Sequence, residues 1–144
     1  MVGSRRFKPI QRVAVSREQT AARELGDCRR RMHEQEERLE DLCKYHREYL
    51  DQFHTAARQG MSATQLQEYR AFLAKLERAI KEQEKIVHLR RNECDQSQEN
   101  WQQKHVRTQV LGKVVERCVK EEDKQLNHRE QKETDDHNQR SRRD

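Results

Sequence analysis

The stretch RQGMSATQ, residues 58–65, decides the fold. Glycine enters the left-handed backbone region without steric penalty, so Gly60 can close a helix arriving from the amino-terminal side. Ser62 and Gln65 have the S-x-x-Q spacing of a capping box, in which each side chain satisfies a backbone N–H of the other as a new helix opens. A helix end and a helix start this close together fit only an antiparallel hairpin. The signals predict helix 1 over about 9–58, a turn over about 59–62 and helix 2 over about 63–120, within one domain spanning 1–144.

Outward from the turn, both arms carry heptads. Before it, Leu25, Met32, Leu39, His46 and Phe53 recur every seven residues, with a second row at Ala21, Cys28, Leu42, Tyr49 and Ala56 that Gln35 interrupts. After it come Leu66, Leu73, Ile80, Val87, Cys94 and Trp101 in one row and Tyr69, Leu76, Gln83 and Leu111 in the other, the latter broken by Arg90, Ser97 and Lys104. These are the a and d rows of a coiled-coil seam. The fold class is therefore all-α, a long antiparallel two-helix coiled-coil hairpin. With more than 45 residues in each arm at 1.5 Å rise, the expected rod is roughly 70 Å or longer.

Antiparallel packing sets an a residue against a d residue whose numbers add to about 122 when the turn is centred near residue 61. Phe53 then meets Tyr69, Tyr49 meets Leu73, Leu42 meets Ile80, Gln35 meets Val87 and Cys28 meets Cys94. Bulky Trp101 falls opposite small Ala21, and Glu18 opposite Lys104. Met32 opposite Arg90 and Leu25 opposite Ser97 make poorer layers. Before residue 20, Phe7, Ile10, Val13, Ala14 and Val15 extend the first helix after Pro9, which suits a first turn. Their expected partner is the patch Val106, Val110, Leu111, Val114, Val115, Cys118 and Val119. Beyond Val119 only Leu126 is apolar, so residues 121–144 are expected as frayed helix or disorder.

Composition agrees with a narrow seam. Of the 144 residues 40% are charged and 31% hydrophobic, too few for a broad globular core. No apolar run is long enough to span a bilayer and no signal-peptide core follows the basic amino terminus, which reads as a soluble cytoplasmic chain without membrane insertion. The four cysteines, at 28, 43, 94 and 118, lack metal-ligand spacing and read as free thiols. No H-E-x-x-H, phosphate-binding loop or dinucleotide fingerprint occurs, so the sequence offers no catalytic, cofactor or metal residue and does not read as an enzyme. Charge is uneven: residues 1–33 hold nine Lys/Arg against three Asp/Glu, whereas 120–144 hold seven against eight. An acidic partner should meet the basic end.

With the rows assigned, Tyr49 is a core residue and Tyr45 falls at g, on the flank. Phe72, Ala79 and Ile86 hold the same flank of helix 2, and in an antiparallel pair the two g flanks share one edge. Tyr45, Phe72, Ala79 and Ile86, backed by Leu42, Tyr49 and Leu76, thus form an apolar strip. Such a strip marks a partner surface or widens a thin core.

At these residues the chain resembles the FliJ family of the bacterial flagellar type III export apparatus. The resemblance rests on Leu42, Tyr45 and Tyr49, on EYRAFLAKLERAI at 68–80, and on EQKETDD near the end, where Glu130, Gln131, Lys132 and Asp135 match and Asp136 stands for the more usual glutamate. It implies a hairpin similar to the central stalk of rotary ATPases, standing in the hexameric export ATPase ring and coupling it to the cytoplasmic side of the membrane-embedded export gate. Export chaperones are a further implied partner, without assigned residues. Gate binding corresponds to Leu42, Tyr45, Tyr49, Phe72, Leu76 and Ala79. Arg38 and Gln83 depart from the family's flanking glutamine and histidine. Charge and likeness together assign the ring contact to Arg5, Arg6, Lys8, Arg12, Arg17 and Arg23. Such a protein is peripheral to the inner-membrane export machinery.

Three other readings stay open on sequence. The stalk of a virulence-type secretion system would share fold and mechanism, and a structural coiled-coil adaptor would share only the fold. Nucleic-acid binding is suggested by the basic pI and the run Arg29, Arg30, Arg31. It is opposed by 26 interleaved acidic residues and by the absence of a basic helix leading into a zipper.

Overall fold

Two helices make up the secondary structure of the computed structural model: α1, Val2–Gln59, and α2, Ala63–Arg143. Residues 2–143 are described, so Met1 and Asp144 of the expected domain lie outside. The turn is built as its residues demand. Gly60 has φ 99°, and its N–H donates to the Ala57 carbonyl at 3.4 Å. A Cβ there would meet nothing, so the backbone conformation alone calls for glycine. The Ser62 N–H donates to Gln65 Oε1 and the Gln65 N–H to Ser62 Oγ, both at 3.2 Å, which completes the capping box. The Leu66 N–H then donates to the Ser62 carbonyl at 3.0 Å as the first bond of α2. The chain is thus an all-α helical hairpin.

The helices divide into two units. In the one formed by residues 23–99, Leu25, Leu73, Leu76, Val87 and Cys94 are buried, with Met32, Leu39, Leu42, Phe53, Leu66 and Ile80 partly buried around them. Each fully buried aliphatic side chain contributes about 1.5–3 kcal/mol. One layer is polar. Gln83 is buried, and its amide Nε2 donates to both the backbone carbonyl (3.0 Å) and Oε1 (2.8 Å) of Gln35. Along the e edge Arg91 Nε pairs with Glu36 at 3.0 Å.

In the unit of residues 1–22 with 100–144, the buried positions are small: Ser4, Ala14 and Ala21. Backbones therefore approach closely. A Cβ on Gly3 would lie 3.3 Å from Cys118 Sγ, and Thr108 Oγ1 donates to the Ala14 carbonyl at 3.3 Å. Glu18 is paired with His105, Nδ1 to Oε1 at 2.6 Å, not with Lys104 as the sum rule suggests. The imidazole in turn stacks on Trp101 with centroids 4.9 Å apart.

Both outer helix limits differ from the sequence reading. Helix α1 begins at Val2, not near 9, and carries Pro9 inside it. The ring forfeits one i→i−4 bond, but a contact made further out holds the first turn. The Ser4 N–H and hydroxyl donate to the two carboxylate oxygens of Glu122 at 3.1 and 2.7 Å. An acidic side chain on α2 thus satisfies an orphan donor and faces the positive end of α1. Helix α2 runs to Arg143, past the expected limit near 120, although every residue from Asp123 to Arg143 is exposed. No glycine or proline interrupts 113–143, and the segment is rich in Glu, Gln, Lys and Arg, so local propensity continues the helix where no stripe is buried.

Candidate functional site

The a and d rows and the g flank place aromatic side chains alternately from the two helices, and within residues 23–99 they form a ladder. Phe53 and Tyr69 have centroids 5.6 Å apart, Tyr69 and Tyr49 5.3 Å, Tyr49 and Phe72 4.4 Å, and Phe72 and Tyr45 6.2 Å with the last two rings edge to face. Each pair adds about 0.5–1.5 kcal/mol to simple burial. Burial, and after it the neighbouring Tyr69 and Tyr45 phenols, pushes the Tyr49 hydroxyl above its ordinary pKa. Tyr49 is therefore a neutral internal rung.

Tyr45 is the outer end of the ladder. It is 50% exposed, whereas Leu76 is buried and Leu42, Tyr49, Phe72 and Ala79 are partly buried. Of the six candidate residues, ring contacts join Tyr45, Phe72 and Tyr49, Leu42 lines a groove with Tyr45, and Tyr45 alone is exposed. Beside it opens a groove of ≈ 450 Å³ lined by Arg38, Asp41, Leu42, Tyr45 and Gln83. The lining combines an aliphatic side chain and a tyrosine ring with a guanidinium, a carboxylate and an amide. Gln83 is held by Gln35, so that part of the lining is fixed before any partner arrives. Such a surface can seat an apolar side chain while engaging polar groups around it. Ile86, 37% exposed, continues the g flank on α2. On the other edge, the core-row His46 has its Nε2 buried without a hydrogen bond, 3.6 Å from Glu77 Oε1.

The candidate basic residues are arranged differently. Arg5, Arg6, Lys8, Arg12, Arg17 and Arg23 are all exposed. They occupy positions b, c, e, b, g and f, which distributes them around the solvent side of α1 in place of one face. Arg23 begins the unit of residues 23–99, while the other five belong to the other unit.

In that other unit the expected pairing of two apolar patches is made only in part. Ala14 is buried and Leu111, Val114, Val115 and Cys118 partly so, but Ile10, Val13, Val15, Val106, Val110 and Val119 are between 37% and 54% exposed. The heptad explains this: Ile10, Val13 and Val15 fall at g, c and e, and Val106, Val110 and Val119 at f, c and e, none of which faces the partner helix fully. A groove of ≈ 250 Å³ results, lined by Pro9, Ile10, Val13, Ala14, Arg17 and Arg107. Counting apolar residues missed it, but extending the heptad letters back from Leu25 would have found it.

Among the described residues no three His, Cys, Asp or Glu side chains come together to hold a metal. No described helix is long and apolar enough to cross a membrane. Over residues 4–143 the chain matches the family described as Flagellar FliJ protein. The chain belongs to the FliJ family. No curated protein and no solved structure gives a match. Family membership makes this FliJ-family chain a flagellar export-associated protein.

Proposed function

We propose that this FliJ-family chain acts as a stalk in the flagellar export ATPase ring and couples that ring to the cytoplasmic face of the export gate, with export chaperones as further partners. Work of this kind needs no catalytic group. A helical hairpin acts by binding more tightly to some states of its partners than to others, and so shifts their populations. The observation that carries the reading is the aromatic ladder that ends in half-exposed Tyr45 beside a preformed groove, in a chain whose family match covers residues 4–143.

In this reading Tyr45 is the gate anchor. Leu42, Tyr49, Phe72, Leu76 and Ala79 hold it in place and supply the surrounding apolar area. Arg5, Arg6, Lys8, Arg12, Arg17 and Arg23 steer the basic part of α1 toward acidic surfaces of the ring, by long-range attraction more than by a shaped contact. Purified chain added to the hexameric ATPase tests the first half directly. Stimulated ATP hydrolysis that falls as salt rises is expected, and an unchanged rate at all protein ratios would remove the stalk role.

A further inference from the structure

One layer of the seam within residues 23–99 consists of two thiols. Cys28 comes from the d row of α1 and Cys94 from the a row of α2, opposite each other in the register of the seam; Cys94 is buried and Cys28 partly buried. The neighbouring layers are Leu25 with Ser97 and Met32 with Arg90, of which Leu25 is buried and the other three partly buried.

The two sulfurs differ in their surroundings. Arg31 Nη2 donates to Cys28 Sγ at 3.4 Å, while its neighbour Arg30 is paired with Asp27. Cys28 is the partly buried sulfur of the pair and has a guanidinium donor beside it, so it is the one a small electrophile reaches first. Cys94 has no such donor, and burial, followed by the influence of Cys28, pushes its thiol up. Cys43 and Cys118 have different surroundings: Cys43 is at e, on the edge that α2 lines with Arg70, Glu77 and Glu84, and Cys118 lies beneath Gly3.

We propose that Cys28 is a peroxide-reactive thiol and Cys94 its resolving partner, so that oxidation ties α1 to α2 through this layer. In the first step the Cys28 thiolate attacks one oxygen of a hydroperoxide, the O–O bond breaks, and Cys28 becomes a sulfenic acid as the other oxygen leaves and takes up a proton. In the second, Cys94 sulfur attacks Cys28 sulfur, the S–S bond forms, and the sulfenic hydroxyl departs as water with the Cys94 proton. The peroxide gains two electrons and the two thiols lose two. An incoming dithiol reverses the change by exchange. The inference does not depend on the export role.

The test treats the full chain with hydrogen peroxide, with and without a cyclic-diketone trap for sulfenic acid, and reads intact mass and peptide maps. Wild type should lose two hydrogens as a monomer and yield one linked peptide pair containing Cys28 and Cys94. In Cys94→Ser the trap adduct on Cys28 should rise at least about tenfold over wild type, because the resolving thiol is gone. In Cys28→Ser, Cys94 should stay reduced. Circular dichroism verifies folding of each variant, and Cys94→Ala and Cys28→Ala replace any serine variant that loses helicity. Adducts appearing first on Cys94, Cys43 or Cys118, disulfides between chains, or an unmodified Cys28 at peroxide doses that oxidise free glutathione would overturn the proposal.

Discussion

Replacing Tyr49 with alanine removes a rung that touches two others, Phe72 at 4.4 Å and Tyr69 at 5.3 Å. Truncating a fully buried aromatic costs about 3–5 kcal/mol. Tyr49 is only partly buried, so about 2 kcal/mol of that is lost here, and two ring pairs at about 0.5 kcal/mol or more each bring the total to about 3 kcal/mol. Phe72 also has two ring partners, Tyr49 and Tyr45, and Phe72→Ala should fall within about 1 kcal/mol of Tyr49→Ala. Tyr45 is half exposed with one edge contact at 6.2 Å, and alanine's better helix propensity offsets part of the loss, leaving under about 1 kcal/mol. At about 2–4 °C per kcal/mol, circular-dichroism melts should show one small and two large shifts. A Tyr45→Ala midpoint as low as that of Tyr49→Ala would refute the assignment of Tyr45 as the presented end of the ladder.

Removing one half of the amide layer with Gln83→Leu leaves Gln35 without its donor and should lower stability by about 1–2 kcal/mol, whereas Gln35→Leu with Gln83→Leu should recover it; urea midpoints distinguish the two. The carboxyls of Glu18 and Glu122 are held below their usual range, chiefly by the side-chain bonds to His105 and Ser4. A carboxyl depressed in the folded state contributes stability that is present above its unfolded pKa and is lost as pH falls through the folded value. Wild type and Glu122→Gln should therefore differ above about pH 5 and converge in acid, read from urea melts across pH. Reversing Arg12, Arg17 and Arg23 to glutamate should leave helicity nearly unchanged, since the residues are exposed, while weakening ATPase binding; titrations at two salt concentrations measure it.

The turn was legible because its chemistry is local: Gly60 needs a positive φ and Ser62 with Gln65 needs no tertiary partner. The seam was legible because the heptads persist through residues 23–99, so Phe53 with Tyr69 and Cys28 with Cys94 could be paired by number. What escaped depends on geometry between helices. Phe72 shares the g flank with Tyr45, yet its ring turns inward to Tyr49, and heptad position alone does not give a side chain's direction. The Ser4 bond to Glu122 lies beyond both expected helix ends, so nothing in the apolar pattern announced it. Glu18 selects His105 over Lys104 because the imidazole, stacked on Trp101, is already in place. The heptad already set Tyr45 on the flank and Tyr49 in the core, but it set Phe72 on the flank as well and did not show that Tyr45 alone of the six is exposed.

Binding of the export gate's cytoplasmic domain to Tyr45→Ala, measured beside ATPase stimulation by the same protein, tests the stalk-and-gate reading most directly. Loss of an exposed aromatic anchor should weaken gate binding by roughly tenfold or more, while helicity and ATPase stimulation remain at wild-type levels. Gate affinity unchanged in Tyr45→Ala would contradict a gate-binding role for this surface.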